Sequence, residues 1–284
     1  MLQIPVFYHP GQVHDPKSFS KSPLKPKLLA ERIEKDYNFH IVSDLISPIE
    51  SSRLKLIHDH GYIDGLMAGT VADGFGNASK SDFKAIRTTV GNFVTAAEYA
   101  LTQSPIVWSL TSGFHHATHK GGGGFCTIEG LTLAAFELRK FHNAKTLIVD
   151  EDLHYGNGCV DVIKTMDMGD YCTYHQSRFT HTMARVDIGA YRKELRKMLV
   201  VSKPDIIMYQ AGADNWIGDT MSGNLSLGQL YKRDLATFQE ARDAGVPVVC
   251  NLAGGYAQDY EDTLSIHMTT GDAMKHTYIL GDKQ

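Results

Sequence analysis

Apolar residues fall into two rhythms that alternate along this chain. Over 83–102, Ile86, Val90, Phe93, Val94, Ala97 and Leu101 recur at intervals of three and four, the spacing of an amphipathic helix. Residues 106–110 and 146–149 are short, nearly continuous apolar runs, as in strands buried on both faces. The same patterns predict strands at 3–9, 39–45, 172–175, 205–210 and 247–252, and helices at 28–35, 128–142, 160–166, 191–201, 227–244 and 259–270. Residues 52–69 have helical spacing, with breaks expected at Gly61 and Gly65, and 72–81 reads as a glycine-bearing loop. Pro16, Pro23 and Pro26 predict an irregular run before residue 28. Helices alternating with buried strands predict the α/β class, with βαβ units and a mainly parallel sheet covered on both faces. No repeat or linker divides the sequence, so one domain over 1–284 is expected.

Composition narrows the classes without choosing among them. With 43% hydrophobic residues, 26 Gly and 9 Pro, the chain has the makeup of a globular enzyme rather than a disordered or collagen-like one. A formal net charge of -4 gives no electrostatic basis for nucleic acid or an anionic membrane as partner. Cys126, Cys159, Cys172 and Cys250 contain no C-x-x-C pair, which predicts buried thiols in a reducing cytoplasm. No segment approaches the roughly 20 apolar residues that span a bilayer, and residues 1–12 lack the pattern of a signal peptide.

The unusual polar residues follow the predicted strands. His115-His116 come after 106–110, Asp150, Asp152 and His154 close 146–149, Asp214 follows 205–210, and Gly254-Gly255-Tyr256 follow 247–252. In a parallel sheet the ligand crevice lies beyond the carboxyl ends of the strands, so these groups are expected to meet. Two carboxylates and an imidazole at strict alternation are expensive to bury without a cation among them, which points to a metal. Taken singly, each string has a plainer reading. Asp152 to His154 is also a polar loop, Asp214 also a helix cap or turn residue, and His115-His116 also two ordinary histidines among 14. Gly121 to Gly124 lacks the Lys-Ser/Thr of a phosphate loop and reads as a turn. Beside a metal, Tyr256 becomes a hydroxyl donor to a developing oxyanion.

Taken together these strings resemble the metal-dependent histone deacetylases and their bacterial relatives, including acetylpolyamine amidohydrolases. G-F-H-H-A at 113–117, G-G-F-C at 123–126, V-D-E-D-L-H-Y-G-N-G at 149–158, A-G-A-D at 211–214 and G-G-Y at 254–256 stand in the family's order. Weaker likeness covers 56–66 and 72–77, so the resemblance runs from about residue 56 to the last helix. It implies the three-layer arginase/deacetylase fold, with a central sheet of eight strands. It implies Asp152, His154 and Asp214 as ligands of one divalent ion, zinc by default, with Fe(II), Co(II) or Mn(II) compatible with two carboxylates and one imidazole. It further implies His116 as general base, His115 paired with Asp150, Asn157 beside His116, and Tyr256 as the carbonyl-polarising donor. A monovalent ion, K+ or Na+, is implied at Asp150 and the 150–154 segment (Asp152, His154), with Thr173 and Tyr174 as further candidates. Phe114 and Phe125, with Gly124, Gly254 and Gly255, are implied around the substrate.

The implied reaction is hydrolysis of an acylated amine, such as acetyl-lysine or an acetylated polyamine. Tyr155 stands where many members have a second His, and residues 176–182 replace the family's Phe-Pro-Gly segment. No long insertion matches the dimer-forming loop of acetylpolyamine enzymes. An arginase-like ureohydrolase would need ligands for two manganese ions, and the sequence offers one set. A catalytically silent acyl-lysine or metal-binding module would need none of His115, His116 and Tyr256.

Overall fold

A computed structural model describes residues 3–177 and 187–281. The strands are β1 (Ile4–Phe7), β2 (Phe39–Val42), β3 (Ile106–Ser109), β4 (Thr146–Asp150), β5 (Cys172–Gln176), β6 (Ile206–Gln210) and β7 (Val248–Asn251). They form one sheet in the order β2-β1-β3-β7-β6-β4-β5, and every neighbouring pair is parallel. The sheet thus has seven strands among the described residues, not eight, with β2 and β5 at its edges.

Side-chain alternation divides each strand between two cores. Phe7, Val107, Ile148, Met208 and Val249 face one core, which also takes buried residues of α3 (His60–Ala68), α4 (Lys80–Thr102), α5 (Gly130–His142) and α6 (Asn157–Thr165). Val6, Trp108, Val149, Tyr209 and Cys250 face the other, with α1 (Lys25–Ile33), α7 (Ile188–Ser202), α8 (Leu227–Asp243) and α9 (Tyr260–Lys275). A two-sided parallel sheet therefore explains why the strands read as continuous apolar runs. One turn, α2 (Ser51–Leu54), precedes α3, and a π turn at His276–Leu280 follows α9. No described helix is long and apolar enough to cross a membrane.

Several boundaries differ from the sequence patterns for local reasons. Helix α3 runs through Gly61 and Gly65, and the interruption lies earlier, between Leu54 and Asp59, whose carboxylate accepts from the Tyr62 N–H. A helical glycine costs about 1 kcal/mol against alanine, a penalty that the burial of Tyr62, Ile63 and Leu66 offsets. Helix α1 starts at Lys25 because Pro26 occupies its first turn, where the missing N–H would have no helical partner.

Strands β3, β7, β6 and β4 are consecutive in the sheet. The four polar groups that follow them are consequently neighbours at one end of the molecule.

Candidate active site

After Asp150 the chain bends and brings Asp152 and His154 toward Asp214, beyond β6. The ligand atoms of Asp152, His154 and Asp214 all lie within 4.8 Å of one another. His154 Nδ1 is 3.2 Å from Asp152 Oδ1 and 3.0 Å from Asp214 Oδ2. Backbone donors orient the acids: Asp152 Oδ2 accepts from the Gly254 N–H at 2.7 Å, and Asp214 Oδ1 from the Leu153 N–H at 3.1 Å. A Cβ at Gly254 would stand 2.5 Å from Asp214 Oδ2 and 2.7 Å from Asp152 Oδ2, so only glycine fits there.

Both acids are buried. Burial and the charge of Asp152 push the Asp214 carboxyl up to about 7. Burial also opposes the Asp152 carboxylate, but His115 and a hydrogen bond with His154 outweigh it and hold that group below the usual range. Two hard oxygens and one imidazole nitrogen, converging within 4.8 Å of one another, fit one divalent ion with open coordination positions. This is the one such cluster among the described residues, so an arginase-like second ion has no ligands in them.

His115 and His116 lie beside this cluster with ring centroids 4.0 Å apart. His115 Nδ1 meets Asp150 Oδ2 at 2.9 Å, and its Nε2 is 3.7 Å from Asp152 Oδ1. Burial opposes a charge on His115, yet Asp150 and Asp152 outweigh it and push the imidazole up to about 9. His116 Nδ1 meets Asn157 Oδ1 at 2.6 Å. An amide oxygen only accepts, so Nδ1 carries the proton and Nε2 is left as a base. Burial and the neighbouring His115 push His116 below its ordinary value, which favours that neutral form. The N-terminus of α6 fixes the pair, with the Gly158 N–H donating to the His115 carbonyl at 2.8 Å.

Tyr256 closes the opposite side on the strap after β7. Its N–H donates to Asp219 Oδ2 and its carbonyl accepts from the Thr220 hydroxyl, both at 2.7 Å. Lys25, fully buried at the start of α1, donates to the carbonyls of Ala253 at 2.5 Å and Gly254 at 3.3 Å. Burial pushes the Lys25 ammonium down to about 8 against the pull of Asp214 and Asp152. In sequence Lys25 is one of three lysines between residues 21 and 27 and carries no signal of burial. Gly255 faces away from the site, toward Thr263 and Ala213.

A small cavity is lined by His115, Asp152, Gly254, Tyr256 and Phe125, and it shares Ser22, Gly113 and Phe125 with a neighbouring cleft. Phe125 packs near Tyr256 at 5.6 Å between centroids, Phe75 at 5.6 Å and Phe19 at 5.2 Å. Gly124 lies against the His116 ring. Phe114 departs from the expected position: its ring is buried in the core, 5.2 Å from that of Phe93, and reaches only the inner lining of the neighbouring cleft. The aromatic rings gathered around Phe125 are Phe19, from the irregular run before α1, and Phe75, from the 72–77 string of weaker family likeness. The expected replacement of the tunnel wall at 176–182 lies, from residue 178 onward, outside the described residues.

The segment 150–156 is also tied to β5. Asp150 Oδ2 accepts from the Tyr174 hydroxyl at 2.9 Å as well as facing His115, and Oδ1 accepts from the Asp152 N–H at 3.1 Å and Gln210 Nε2 at 3.0 Å. Gln176 Nε2 donates to the carbonyls of Asp152 at 3.0 Å and His154 at 2.9 Å. Thr173 sits at an alternate position of β5, so its side chain is on the opposite face from Tyr174 and Gln176. It therefore cannot join Tyr174 at a single side-chain site.

A family model described as "Histone deacetylase domain" matches residues 21–183. That match holds the histidine pair and the 150–157 segment, and the sheet adds Asp214 and Tyr256 to them from beyond it. An uncharacterized protein of Picosynechococcus sp. is 25% identical, over 98% of this chain and 100% of its own length. Histone deacetylase 2 of Arabidopsis thaliana is 26% identical, over 75% of this chain and 63% of its own length. Histone deacetylase clr6 of Schizosaccharomyces pombe is 23% identical, over 88% and 70%.

Proposed function

This chain belongs to the histone deacetylase family, and from that premise we propose that it is a metal-dependent amidohydrolase removing an acetyl or other acyl group from an amine. The observation that carries the reading is the meeting, beyond four adjacent strands, of the Asp152, His154 and Asp214 cluster with the His115–Asp150 and His116–Asn157 pairs. A divalent ion bound by that cluster supplies a Lewis acid that polarises an amide carbonyl and acidifies water. His116 Nε2 takes the proton from water attacking the carbonyl carbon. His115, kept cationic by Asp150, stabilises the negative charge that develops and delivers a proton to the departing amine. Tyr256 donates its hydroxyl proton in a hydrogen bond to the oxyanion. Phe125, Phe75 and Phe19 give the amine's aliphatic stem an apolar approach.

Zinc is the proposed ion, and the donor set also suits Fe(II), Co(II) or Mn(II). Residues 1–284 then act as one catalytic domain. Four buried, unpaired cysteines suit a reducing cytoplasm.

The test is hydrolysis of a panel of acetyl-lysine peptides, acetylpolyamines and longer acylamines, with and without chelator, by protein of known metal content. Chelator-sensitive release of acid from at least one substrate is expected. Tyr256→Phe should retain the metal and lose about two to three orders of magnitude in turnover, since one such donor typically contributes ~3 to 4 kcal/mol. Inactivity of the metal-loaded protein on the whole panel would return the catalytically silent binder, and near-normal turnover by Tyr256→Phe would remove that residue from its role.

A further inference from the structure

The resemblance implied a monovalent cation against Asp150 and the backbone carbonyls of the 150–154 segment, and the residues present do not fit one. A cation there needs oxygen lone pairs turned toward it, as carbonyl rings provide in ion filters. The carbonyls of Asp152 and His154 do converge, but on the amide nitrogen of Gln176, at 3.0 and 2.9 Å. A glutamine amide has two N–H groups, and each of them has one of these two carbonyls as partner. The register of β5 explains the reach: Gln176 lies directly across from Asp150, whose strand ends where the loop begins.

Tyr174, two residues earlier on the same face, occupies the other side. Its hydroxyl is 2.9 Å from Asp150 Oδ2 and 3.2 Å from Gln176 Oε1, and it accepts from the Gly156 N–H at 2.9 Å. Asp150 Oδ1 is engaged by the Asp152 N–H and by Gln210. The groups that would have ligated an ion therefore face donors, and an ion placed among them would meet N–H and O–H hydrogens. The packing is close as well, since a Cβ at Gly156 would stand 2.5 Å from the Tyr174 hydroxyl and 2.8 Å from Asp150 Oδ2.

We propose that Gln176 and Tyr174 replace the monovalent cation in this protein, the Gln176 amide bracing the backbone that carries Asp152 and His154. Gln176 is then a positioning residue for the divalent site, and the protein needs neither K+ nor Na+. The inference rests on the proposed function only in taking Asp152 and His154 as divalent-metal ligands, and its test requires no substrate. Thermal unfolding of the full, metal-loaded chain is compared in KCl, NaCl and tetramethylammonium chloride at equal ionic strength, and divalent-metal affinity is measured in each by competition with a chromophoric chelator.

Wild-type protein should give the same Tm and the same affinity in all three salts. Gln176→Glu turns a carboxylate toward the two carbonyls, so in tetramethylammonium it should bind the divalent ion at least tenfold more weakly and recover saturably on adding K+ or Na+. Gln176→Ala, which removes the donors, should show the same rescue to a smaller extent. Saturable stabilisation of wild-type protein by K+, or anomalous scattering from thallium(I) between the Asp152 and His154 carbonyls of wild-type crystals, would overturn the proposal. Affinity of Gln176→Glu equal to wild type in every salt would overturn the bracing role. The wild-type arms decide the cation question even if neither variant folds.

Discussion

Asp150 and Asp152 are two residues apart, both buried acids, and the structure gives them different work. Asp152 contributes a ligand atom to the three-residue cluster, whereas Asp150 is saturated by four donors: His115 Nδ1, the Tyr174 hydroxyl, Gln210 Nε2 and the Asp152 N–H, at 2.9 to 3.1 Å. Asp150→Asn therefore leaves all three metal ligands in place. If the retained oxygen keeps Gln210 and the Asp152 N–H, the introduced NH2 meets His115 and Tyr174. Tyr174 has an alternative acceptor in Gln176 Oε1 at 3.2 Å, and His115 can shift its proton to Nε2. What is lost is the charge-assisted hydrogen bond that favours cationic His115, about 1.5 to 3 kcal/mol. At 1.36 kcal/mol per decade, turnover should fall about 10- to 150-fold with stoichiometric metal retained. Asp152→Ala removes one ligand of three and should lose the metal itself. Elemental analysis of protein purified without chelator, paired with turnover under metal saturation, separates the two outcomes. Equal metal loss in both variants would show that Asp150, Asp152 and His154 act as equivalent ligands, and undiminished turnover in Asp150→Asn would remove the His115–Asp150 pair from the chemistry.

Other substitutions probe the supports of the site. Gly254→Ala drives a methyl into the Asp152 and Asp214 carboxylates, and divalent affinity should fall about 10- to 100-fold, as for lost outer-shell support, with unchanged far-UV circular dichroism. Lys25→Met strips two buried carbonyls of their donor and should lower urea-unfolding stability by about 2 to 4 kcal/mol, since an unsatisfied buried group costs ~1 to 3 kcal/mol. A stability change below experimental error would mean that the Ala253–Tyr256 strap holds without it. Buried His58 accepts from the Glu129 N–H at 3.0 Å, and burial lowers its pKa from 6.5 to about 4. The folded state thus prefers neutral imidazole: the stabilisation is full above pH 6.5 and is lost as pH falls toward 4. The loss amounts to roughly 3 kcal/mol at 1.36 kcal/mol per unit. Urea titrations between pH 7 and 4.5 should be flatter for His58→Gln, which keeps an acceptor without titrating. Parallel curves would refute the assignment.

What the sequence made legible and what it hid differ by the range of the interaction. Strand β4 and the residues after it could be read locally, because a buried two-sided strand must be apolar and the polar groups at its end stand out against it. Helix α4 was readable for the same reason, its buried face recurring every three or four residues. Gln176 and Lys25 were not readable. Gln176 meets partners 22 and 24 residues away, and Lys25 meets carbonyls 228 and 229 residues away. Nothing in the immediate neighbours of either residue demands those contacts. Yet one of the two was nearly accessible: β5 carries T-Y-H-Q, and strict alternation already puts Tyr174 and Gln176 on one face and Thr173 on the other. Of the two further candidates Thr173 and Tyr174, that period puts only the Tyr174 side chain on the Asp150 side. Applying it sets a phenol and an amide beside the Asp150 strand, groups whose O–H and N–H hydrogens can engage the carboxylate and carbonyls that a cation would otherwise hold. The period of a strand thus limits the chemistry that its neighbour's loop can hold, even when the family resemblance says otherwise.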